Sequence, residues 1–329
     1  MSSRTAVVLV LGFVAAIAGG CGEQSSSAPS QAFVFTVNDE GWGEIWLMDE
    51  NGRARQQLTG SRPTGSEASG NTSPAWSLDG TRIAYTGTGD SVLQDPSAEE
   101  IYVMDGDGEN VDRLTDNNVP DLSPDWSPDG NHIVFSRASG LSSESVSAAL
   151  YVMDADGSNA HVLYREKGSG APVLLFTPDW SADGSRIAFT RVSYATATPK
   201  ASVYVIESDG TGAREIAQDA SEPAWSPDGK RIAFASGRDK NGQTCFQDCQ
   251  PSGEIYVAEA DGAKPRRLTK EKGEDASPTW SPDGRRIAFV SDVTNREDHE
   301  NEIYVVDANG GAAQRITKNS VWDLEPDWK

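Results

Sequence analysis

The sequence predicts an all-β fold, a six-bladed β-propeller of four-stranded antiparallel blades. Two repeated motifs predict this fold. The stretch W-S-x-D-G recurs with a spacing of 45 to 55 residues, and a segment like E-I-Y-V-M-D recurs six times in step with it. A period near 50 residues is typical of propeller blades. The 32 glycines and 17 prolines favour many turns over long helices.

Each repeat supplies four short strands, which we call a, b, c and d. Strand a ends at the tryptophan, strand b is the R-I-A-F segment, strand c is E-I-Y-V, and strand d is R-R-L-T. The S-P-D-G and D-x-D-G sequences provide the tight turns between a and b and between c and d. The repeated tryptophans are Trp76, Trp126, Trp180, Trp225 and Trp280. We interpret them as packing residues between blades rather than as catalytic residues.

The two ends of the chain predict how the ring closes. The first blade begins with strand b, A-F-V-F-T-V from Ala32, and has no strand a of its own. The chain ends in P-D-W-K, which matches the ends of the other strands a. We therefore expect the C-terminal strand to pair into the first blade and to close a propeller of residues 32–329.

With these motifs in hand, the chain resembles the TolB-like β-propeller family, whose WD-like repeat reads PxWSPDGxxIAF followed by EIYVMDxDGxxxRRLT. The resemblance extends from about Ala32 to Trp328. It implies a propeller without the domain that precedes the propeller in TolB. The wider group includes periplasmic docking proteins, propellers attached to serine peptidases, and polysaccharide lyases. Peptidase activity is not expected, because the sequence contains no G-x-S-x-G motif.

The N-terminus has the features of an export signal. Arg4 precedes an apolar run, and Gly19, Gly20 and Cys21 follow it. This resembles the lipobox of bacterial lipoproteins, although Ala18 stands where leucine is usual. We expect residues 1–20 to be a signal peptide, Cys21 to be lipidated, and residues 21–31 to form a flexible tether. A plain secretory signal and an uncleaved anchor are the alternatives.

Cysteine content and charge bound the environment and the partners. In an extracytoplasmic compartment, the periplasm or the cell surface, Cys245 and Cys249 form an even pair for which we expect a disulfide. A metal site would need further ligands, and no histidine lies near this pair. The net charge of −22 argues against binding to nucleic acid or to an anionic lipid surface, so membrane association should come from the lipid anchor alone.

Candidate ligands for a divalent cation are few. The segment from Glu297 through Asp298 and His299 to Glu300 could help to hold a metal, or could be a solvated loop. His132 and His161, at the starts of a strand b and a strand d, are interpreted as framework residues. The sequences DGDGEN and DADGSN partly resemble calcium loops, but their positions favour hairpin turns.

Acidic residues before three tryptophans form a second candidate cation site. Asp125, Asp179 and Asp327 should surround the central channel, with Glu222 and Glu325 nearby. They could attract a cation or a basic peptide, or they could accept hydrogen bonds from neighbouring backbone, which we favour. We expect no obligatory cofactor, although a divalent cation is possible.

The variable connections predict where a partner binds. The a–b and c–d turns are short, whereas the b–c and d–a connections vary in length and emerge together on one face. Trp42, Trp322 and Asp323 should lie there with the histidine segment, and the two tryptophans either anchor a partner or cover a loop. We expect a monomeric, non-enzymatic envelope lipoprotein that binds a protein or peptide. The alternative is an extracytoplasmic enzyme acting on a glycan, with acidic residues and His299 at the channel mouth.

Overall fold

Twenty-four strands in the described part of the chain form six four-stranded antiparallel sheets. The computed structural model describes residues 31–39, 41–60, 70–88, 99–139, 147–166, 171–238, 253–270, 273–292 and 301–329. The predicted six-bladed architecture is confirmed. Across these ranges, no helix is long and apolar enough to cross a membrane.

Each blade contributes one strand to each of four concentric positions. The innermost strands are β4 (Asn71–Trp76), β8 (Asp121–Trp126), β12 (Val173–Trp180), β16 (Ala220–Trp225), β20 (Asp275–Trp280) and β24 (Trp322–Trp328). The second strands are β1 (Gln31–Asp39), β5 (Arg82–Gly87), β9 (His132–Ser139), β13 (Arg186–Ser193), β17 (Arg231–Ser236) and β21 (Arg286–Ser291). The third strands are β2 (Trp42–Asp49), β6 (Glu100–Asp105), β10 (Ser147–Asp154), β14 (Lys200–Glu207), β18 (Glu254–Glu259) and β22 (Glu302–Asp307). The outermost strands are β3 (Gln56–Gln57), β7 (Asp112–Arg113), β11 (His161–Tyr164), β15 (Arg214–Gln218), β19 (Arg266–Arg267) and β23 (Gln314–Arg315).

The hydrogen bonds and backbone geometry of the S-x-D-G turn account for the residues of the motif. In the first copy, the Gly80 N–H donates to the Ser77 carbonyl at 2.7 Å, and the Ser77 hydroxyl donates to the Asp79 carboxylate at 2.7 Å. The same carboxylate accepts the Thr81 N–H at 3.0 Å. Gly80 has a φ of +65°, a conformation that costs glycine little. Serine, aspartate and glycine are therefore each required by the turn.

The c–d sequences are hairpin turns, as the sequence favoured. The Gly108 N–H donates to the Asp105 carbonyl at 2.9 Å, and the Asn110 side chain donates to the Asp105 carboxylate at 2.6 Å. In the DADGSN copy, Asn159 makes the same side-chain bond to Asp154. The calcium-like spacing therefore serves the turn.

The core consists of apolar clusters between adjacent blades. Between the second and third blades, Ile101 and Val103 of β6 pack with Trp126, Ile133 and Phe135 of the next blade. Four of the five repeated tryptophans are 4 to 6% exposed, whereas Trp180 is only half-buried. The indoles therefore fill the wedges between blades, as the sequence predicted.

The C-terminal strand closes the ring. In β24, Trp328 pairs with Phe33 of β1, and Asp323 pairs with Val37. The Trp328 and Phe33 ring centroids lie 4.6 Å apart, and the Lys329 N–H donates to the Ala32 carbonyl at 2.9 Å. The first blade thus combines both ends of the propeller, as the sequence predicted.

Strand order places the connections on two faces. The a–b and c–d turns lie on one face, which we call the turn face, and the b–c and d–a connections lie on the other, the variable face. Residues 89–98, 239–252 and 293–300, which fall between a strand b and a strand c in the sequence, lie outside the described residues.

Candidate functional site in the central channel

The innermost strands surround a channel with a chamber toward the variable face. Its volume is about 160 Å³. Each strand contributes a proline and its two neighbours, and these prolines are Pro74, Pro124, Pro178, Pro223, Pro278 and Pro326. Because proline fixes its own φ, the wall of this chamber is stiff.

The residue before each proline has left-handed backbone geometry. These residues are Ser73, Ser123, Thr177, Glu222, Ser277 and Glu325, with φ between 44° and 53°. Each inner strand pairs with its neighbour through a register shift at this point. Non-glycine residues adopt this geometry only where surrounding contacts enforce it. In four strands, neighbouring side chains accept the N–H of this residue.

Two glutamates of this chamber act as such acceptors. Glu325 accepts the Ser73 N–H at 2.7 Å and the Thr36 hydroxyl at 2.9 Å. Glu222 accepts the Ser277 N–H at 2.7 Å. Burial raises the pKa of Glu222 above its ordinary value, the hydrogen bond opposes this shift, and the charge of Glu325 adds to it. Carboxylates thus link neighbouring blades at the channel wall.

Asp125, Asp179 and Asp327 form the next layer of the channel. Asp125 accepts the backbone N–H of Trp180 in the next blade at 2.6 Å, Asp179 accepts that of Trp225 at 2.6 Å, and Asp327 accepts that of Trp76 at 2.7 Å. The hydrogen-bonding role favoured from the sequence is therefore observed for all three carboxylates. Each of them also lines the channel.

The three aspartates are electrostatically unusual. Burial raises the pKa of Asp125 to about 7, and the Trp180 hydrogen bond opposes this rise while the charge of Asp327 increases it. The pKa of Asp179 is raised well above the ordinary value, first by burial and then by Asp125, and burial raises that of Asp327. The ionised form of each aspartate is therefore disfavoured, first by burial, and charges on neighbouring aspartates of the layer add to this effect for Asp125 and Asp179.

Among the described residues, no group of three or more histidine, cysteine, aspartate or glutamate side chains is arranged to hold a metal ion. The aspartates are already engaged by backbone donors. Their arrangement suits a polar, acidic wall more than a coordination shell.

A second chamber lies beyond this layer, toward the turn face. It has a volume of about 260 Å³ and is lined by the six tryptophans that end the inner strands. Lys329 lies over Trp76, with its ammonium 3.5 Å from the ring centroid, and donates to the Gly80 carbonyl at 3.0 Å. Burial lowers the pKa of this lysine. The channel is therefore acidic at its centre and aromatic at the turn face.

The predicted aromatic anchors have different environments. Trp322, at the start of β24, is 43% exposed and can contact a partner. Trp42 is only 4% exposed. The Trp42 side chain is therefore buried within the protein and does not present an exposed anchor, which was one of the two alternatives drawn from the sequence.

Asp323 is likewise a structural residue. It is fully buried, and it accepts two hydrogen bonds from the Arg55 guanidinium, at 2.9 and 3.2 Å. Arg55 in turn lies over the rings of Phe35 and Trp46. The expectation that Asp323 contacts a partner is therefore corrected: its charge is already paired inside the first blade.

Related ion pairs, which the sequence analysis missed, support the variable face at other blades. Asp121 accepts two hydrogen bonds from Arg137 at 2.6 Å, and Glu100 pairs with Arg113 at 3.0 Å. Asn117 bridges the two carboxylates. The signal was the glutamate that begins strand c in most repeats.

Seven predicted site residues lie outside the described residues: Cys21, Cys245, Cys249, Glu297, Asp298, His299 and Glu300. His132 and His161 are described, and both lie on the third blade toward the turn face, where they line a common groove and not the channel.

Comparison with curated proteins gives relatives of the propeller. Residues 137–329, more than half of the chain, match the family described as the TolB beta propeller domain. The protein named Protein TolB homolog from Chlorobium chlorochromatii is 31% identical over 162 residues, 49% of this chain and 31% of that protein. The Tol-Pal system protein TolB of Bordetella pertussis is 36% identical over 144 residues, 44% of this chain and 29% of that protein. These alignments span less than a third of each relative.

Solved structures agree on the fold. TolB from Acinetobacter baumannii superposes with a TM-score of 0.66 at 17% identity, covering 91% of this chain and 67% of that chain. An oligogalacturonate lyase in complex with manganese superposes with a TM-score of 0.51 at 15% identity, covering 87% and 73%. At such identities the likeness shows the fold alone. With the family match and the six-bladed ring together, the chain belongs to the TolB β-propeller family.

Proposed function

We propose that this chain is a non-enzymatic binding scaffold of the cell envelope, which docks a protein or peptide on its variable face over the mouth of the channel. One observation carries the proposal. The channel's variable-face chamber is walled by six prolines, with Glu222 and Glu325 among the residues between them. A stiff, preformed rim loses little conformational freedom when a partner binds.

The chemistry of this rim favours binding over catalysis. Glu222, Glu325 and the three channel aspartates accept hydrogen bonds from neighbouring blades, which holds them in place as fixed acceptors. A general acid or base must be free to exchange a proton with a substrate. In the described part of the chain, the two histidines lie on the turn face of the third blade, away from this rim. These features support docking over the glycan-enzyme alternative.

The charge of the channel suggests what the partner presents. Acidic side chains line the mouth and centre of the channel, and the whole chain carries a net charge of −22. Charge complementarity favours a partner with basic side chains, which would approach faster at low ionic strength. Trp322, at the start of β24 on the variable face, supplies an exposed aromatic contact.

The proposed location in the cell envelope is supported by the N-terminal sequence and by the name of one relative. The N-terminal segment and Cys21 support export and lipid anchoring, with residues 21–31 as a tether that lets the propeller reach partners near the membrane. The Bordetella relative is named as a protein of the Tol-Pal system, which supports a role within a multi-protein system.

Affinity capture from membranes tests the proposal. The lipidated wild type is used as bait beside Trp322→Ala and Leu78→Ala, two variants that each remove an exposed apolar side chain, one on each face. We expect Trp322→Ala to reduce recovery of the partner roughly tenfold, because aromatic anchors dominate interfaces, and Leu78→Ala to leave recovery unchanged. Equal recovery with Trp322→Ala, or a loss only with Leu78→Ala, would contradict docking on the variable face.

A further inference from the structure

Five of the six junctions between blades contain the same contact. A cationic side chain from one blade lies over the indole of the next: Arg82 over Trp126 at 4.4 Å, Arg186 over Trp225 at 4.5 Å, Arg231 over Trp280 at 4.5 Å, Arg286 over Trp328 at 4.8 Å, and Lys329 over Trp76 at 3.5 Å. Such contacts between a cation and an aromatic face are attractive and contribute to the stability of each junction.

The first blade shows that the contact is replaced when the arginine is lost. Ala32 occupies the position of that arginine in the first blade, and Lys329, which directly follows the adjacent strand β24, supplies the cation instead. The third blade also lacks the arginine, because His132 occupies its position. Within the described ranges, no cation lies over Trp180 of the following blade.

The His132 side chain lies near carboxylates of its own blade. Its Nε2 atom lies 3.7 Å from Asp154 and its Nδ1 atom 4.0 Å from Asp129. An imidazole is too short to reach where a guanidinium reaches. The result is a groove of about 490 Å³ between the third and fourth blades, lined among others by Asp129, His132, Trp180 and Asp183.

In this groove, the Trp180 indole donates the hydrogen bond that an arginine donates in three sister junctions. In the sister junctions, Arg82, Arg186 and Arg231 donate to a glycine carbonyl of the next turn, at 3.2 to 3.4 Å. The equivalent carbonyl, that of Gly184, instead accepts the Trp180 Nε1–H at 3.1 Å. A carbonyl oxygen accepts two hydrogen bonds, so Gly184 retains capacity for one more donor. The indole is only half-buried, so part of it is accessible from the groove.

We propose that the groove between the third and fourth blades binds the guanidinium group of an arginine side chain presented by a partner molecule. The ligand supplies the group that the sister junctions supply from within the chain. A guanidinium can stack on the Trp180 indole and donate to the Gly184 carbonyl, whereas an ammonium is a compact point charge. Asp129 and Asp183 add negative charge, because hydrogen bonds within their turns hold the pKa of each carboxyl below its usual value. This site lies on the turn face and is independent of the docking proposed on the variable face.

Titration with a small probe tests the site. N-acetyl-arginine amide carries one guanidinium, and N-acetyl-citrulline amide is a neutral probe of nearly the same shape. In NMR spectra of the full chain, the Trp180 indole N–H signal, assigned with Trp180→Phe, should shift saturably with the arginine probe. We expect a dissociation constant on the order of 1 mM, as for a single-side-chain ligand, and at least tenfold weaker binding of the citrulline probe.

Two variants complete the design. His132→Arg should fill the groove from within and weaken binding of the arginine probe at least tenfold. Arg231→His should open the junction between the fifth and sixth blades and create a second response at Trp280. The proposal would be overturned if the wild type showed no saturable shift or responded equally to the citrulline probe. It would also be overturned if the His132→Arg variant bound the arginine probe as well as the wild type does. If His132→Arg does not fold, the citrulline comparison and Arg231→His still decide it.

Discussion

The Asp125 carboxylate accepts the backbone N–H of Trp180, 55 residues further along the chain, at 2.6 Å. This bond connects the inner strands of the third and fourth blades, and the same relationship joins Asp179 to Trp225 and Asp327 to Trp76. The channel aspartates therefore stabilise the ring and shape the channel at once. Their cost is electrostatic, because each brings a negative charge into a confined space.

The raised pKa of Asp125 predicts a pH dependence of stability. The ordinary aspartate value is 3.8 and the folded value is about 7, so the folded state holds this proton more tightly than the unfolded state. The stabilising contribution is full below pH 3.8 and is lost as the pH rises through 7. Asp125→Asn keeps an oxygen for the Trp180 N–H and removes the charge. Its melting temperature should therefore rise relative to wild type by at least ~2 °C between pH 5 and pH 8.

A turn aspartate provides the control for this measurement. Hydrogen bonds from Ser226 lower the pKa of Asp228, so that residue titrates only in acid. Thermal unfolding of Asp228→Asn should run parallel to wild type between pH 5 and pH 8. If Asp125→Asn also runs parallel, the assignment of a raised pKa to Asp125 is wrong.

Ring closure predicts a large difference between two tryptophans of the same strand. Trp328→Ala removes a side chain that is 7% exposed and packs on Phe33, and we expect it to lower the free energy of unfolding by about 3–5 kcal/mol. Trp322→Ala removes a side chain that is 43% exposed and should cost less than about 1 kcal/mol. Urea unfolding followed by circular dichroism measures both. Similar losses for the two variants would argue against closure through Trp328.

The buried pair of Arg55 and Asp323 predicts an asymmetric response to mutation. Arg55→Ala leaves the fully buried Asp323 without its cation and should destabilise the protein by about 3–5 kcal/mol. Because the pair of Arg286 and Glu50 is exposed, Arg286→Ala should lower the free energy of unfolding by less than Arg55→Ala does, even though it also removes the contact with Trp328. Chemical denaturation compares the two. Addition of Asp323→Asn to Arg55→Ala should recover part of the loss, and no recovery would contradict an uncompensated charge as its cause.

The proposed lipid anchor predicts membrane partitioning. Cys21→Ala should release a folded propeller into the soluble fraction, because two acyl chains hold a protein stably at a membrane. Cell fractionation and mass spectrometry of the mature N-terminus are the measurements. An unmodified terminus, or an intact Met1, would exclude the anchor.

Free thiols at Cys245 and Cys249 in the exported protein would exclude the proposed disulfide.

The repeats made the blades predictable, because each motif letter has a local cause. Ser77, Asp79 and Gly80 form their own turn, and this is true wherever the motif recurs. The C-terminal strand was predictable because Trp328 matches the other strand ends. Such local rules are legible in sequence, since they depend on residues a few positions apart.

The environments of the site residues depended on distant partners. Asp323 is neutralised by Arg55, 268 residues away, and no spacing in the sequence signals that contact. Trp42 lacks the repeated motif, yet it is as buried as the repeated tryptophans. His132 was a visible departure from the arginine that four other repeats carry, but its meaning required the five sister junctions for comparison.

Photo-crosslinking tests directly whether a partner docks on the variable face. A benzophenone amino acid is placed at Trp322 on the variable face or at Leu78 on the turn face, both exposed, and cells are irradiated before membranes are solubilised. We expect a discrete crosslinked protein or peptide from position 322, and its yield should fall when wild-type protein without the crosslinker is co-expressed. Position 78 should give a much weaker product. Crosslinks from position 78 alone, or no specific product from position 322, would contradict a propeller that docks its partner on the variable face.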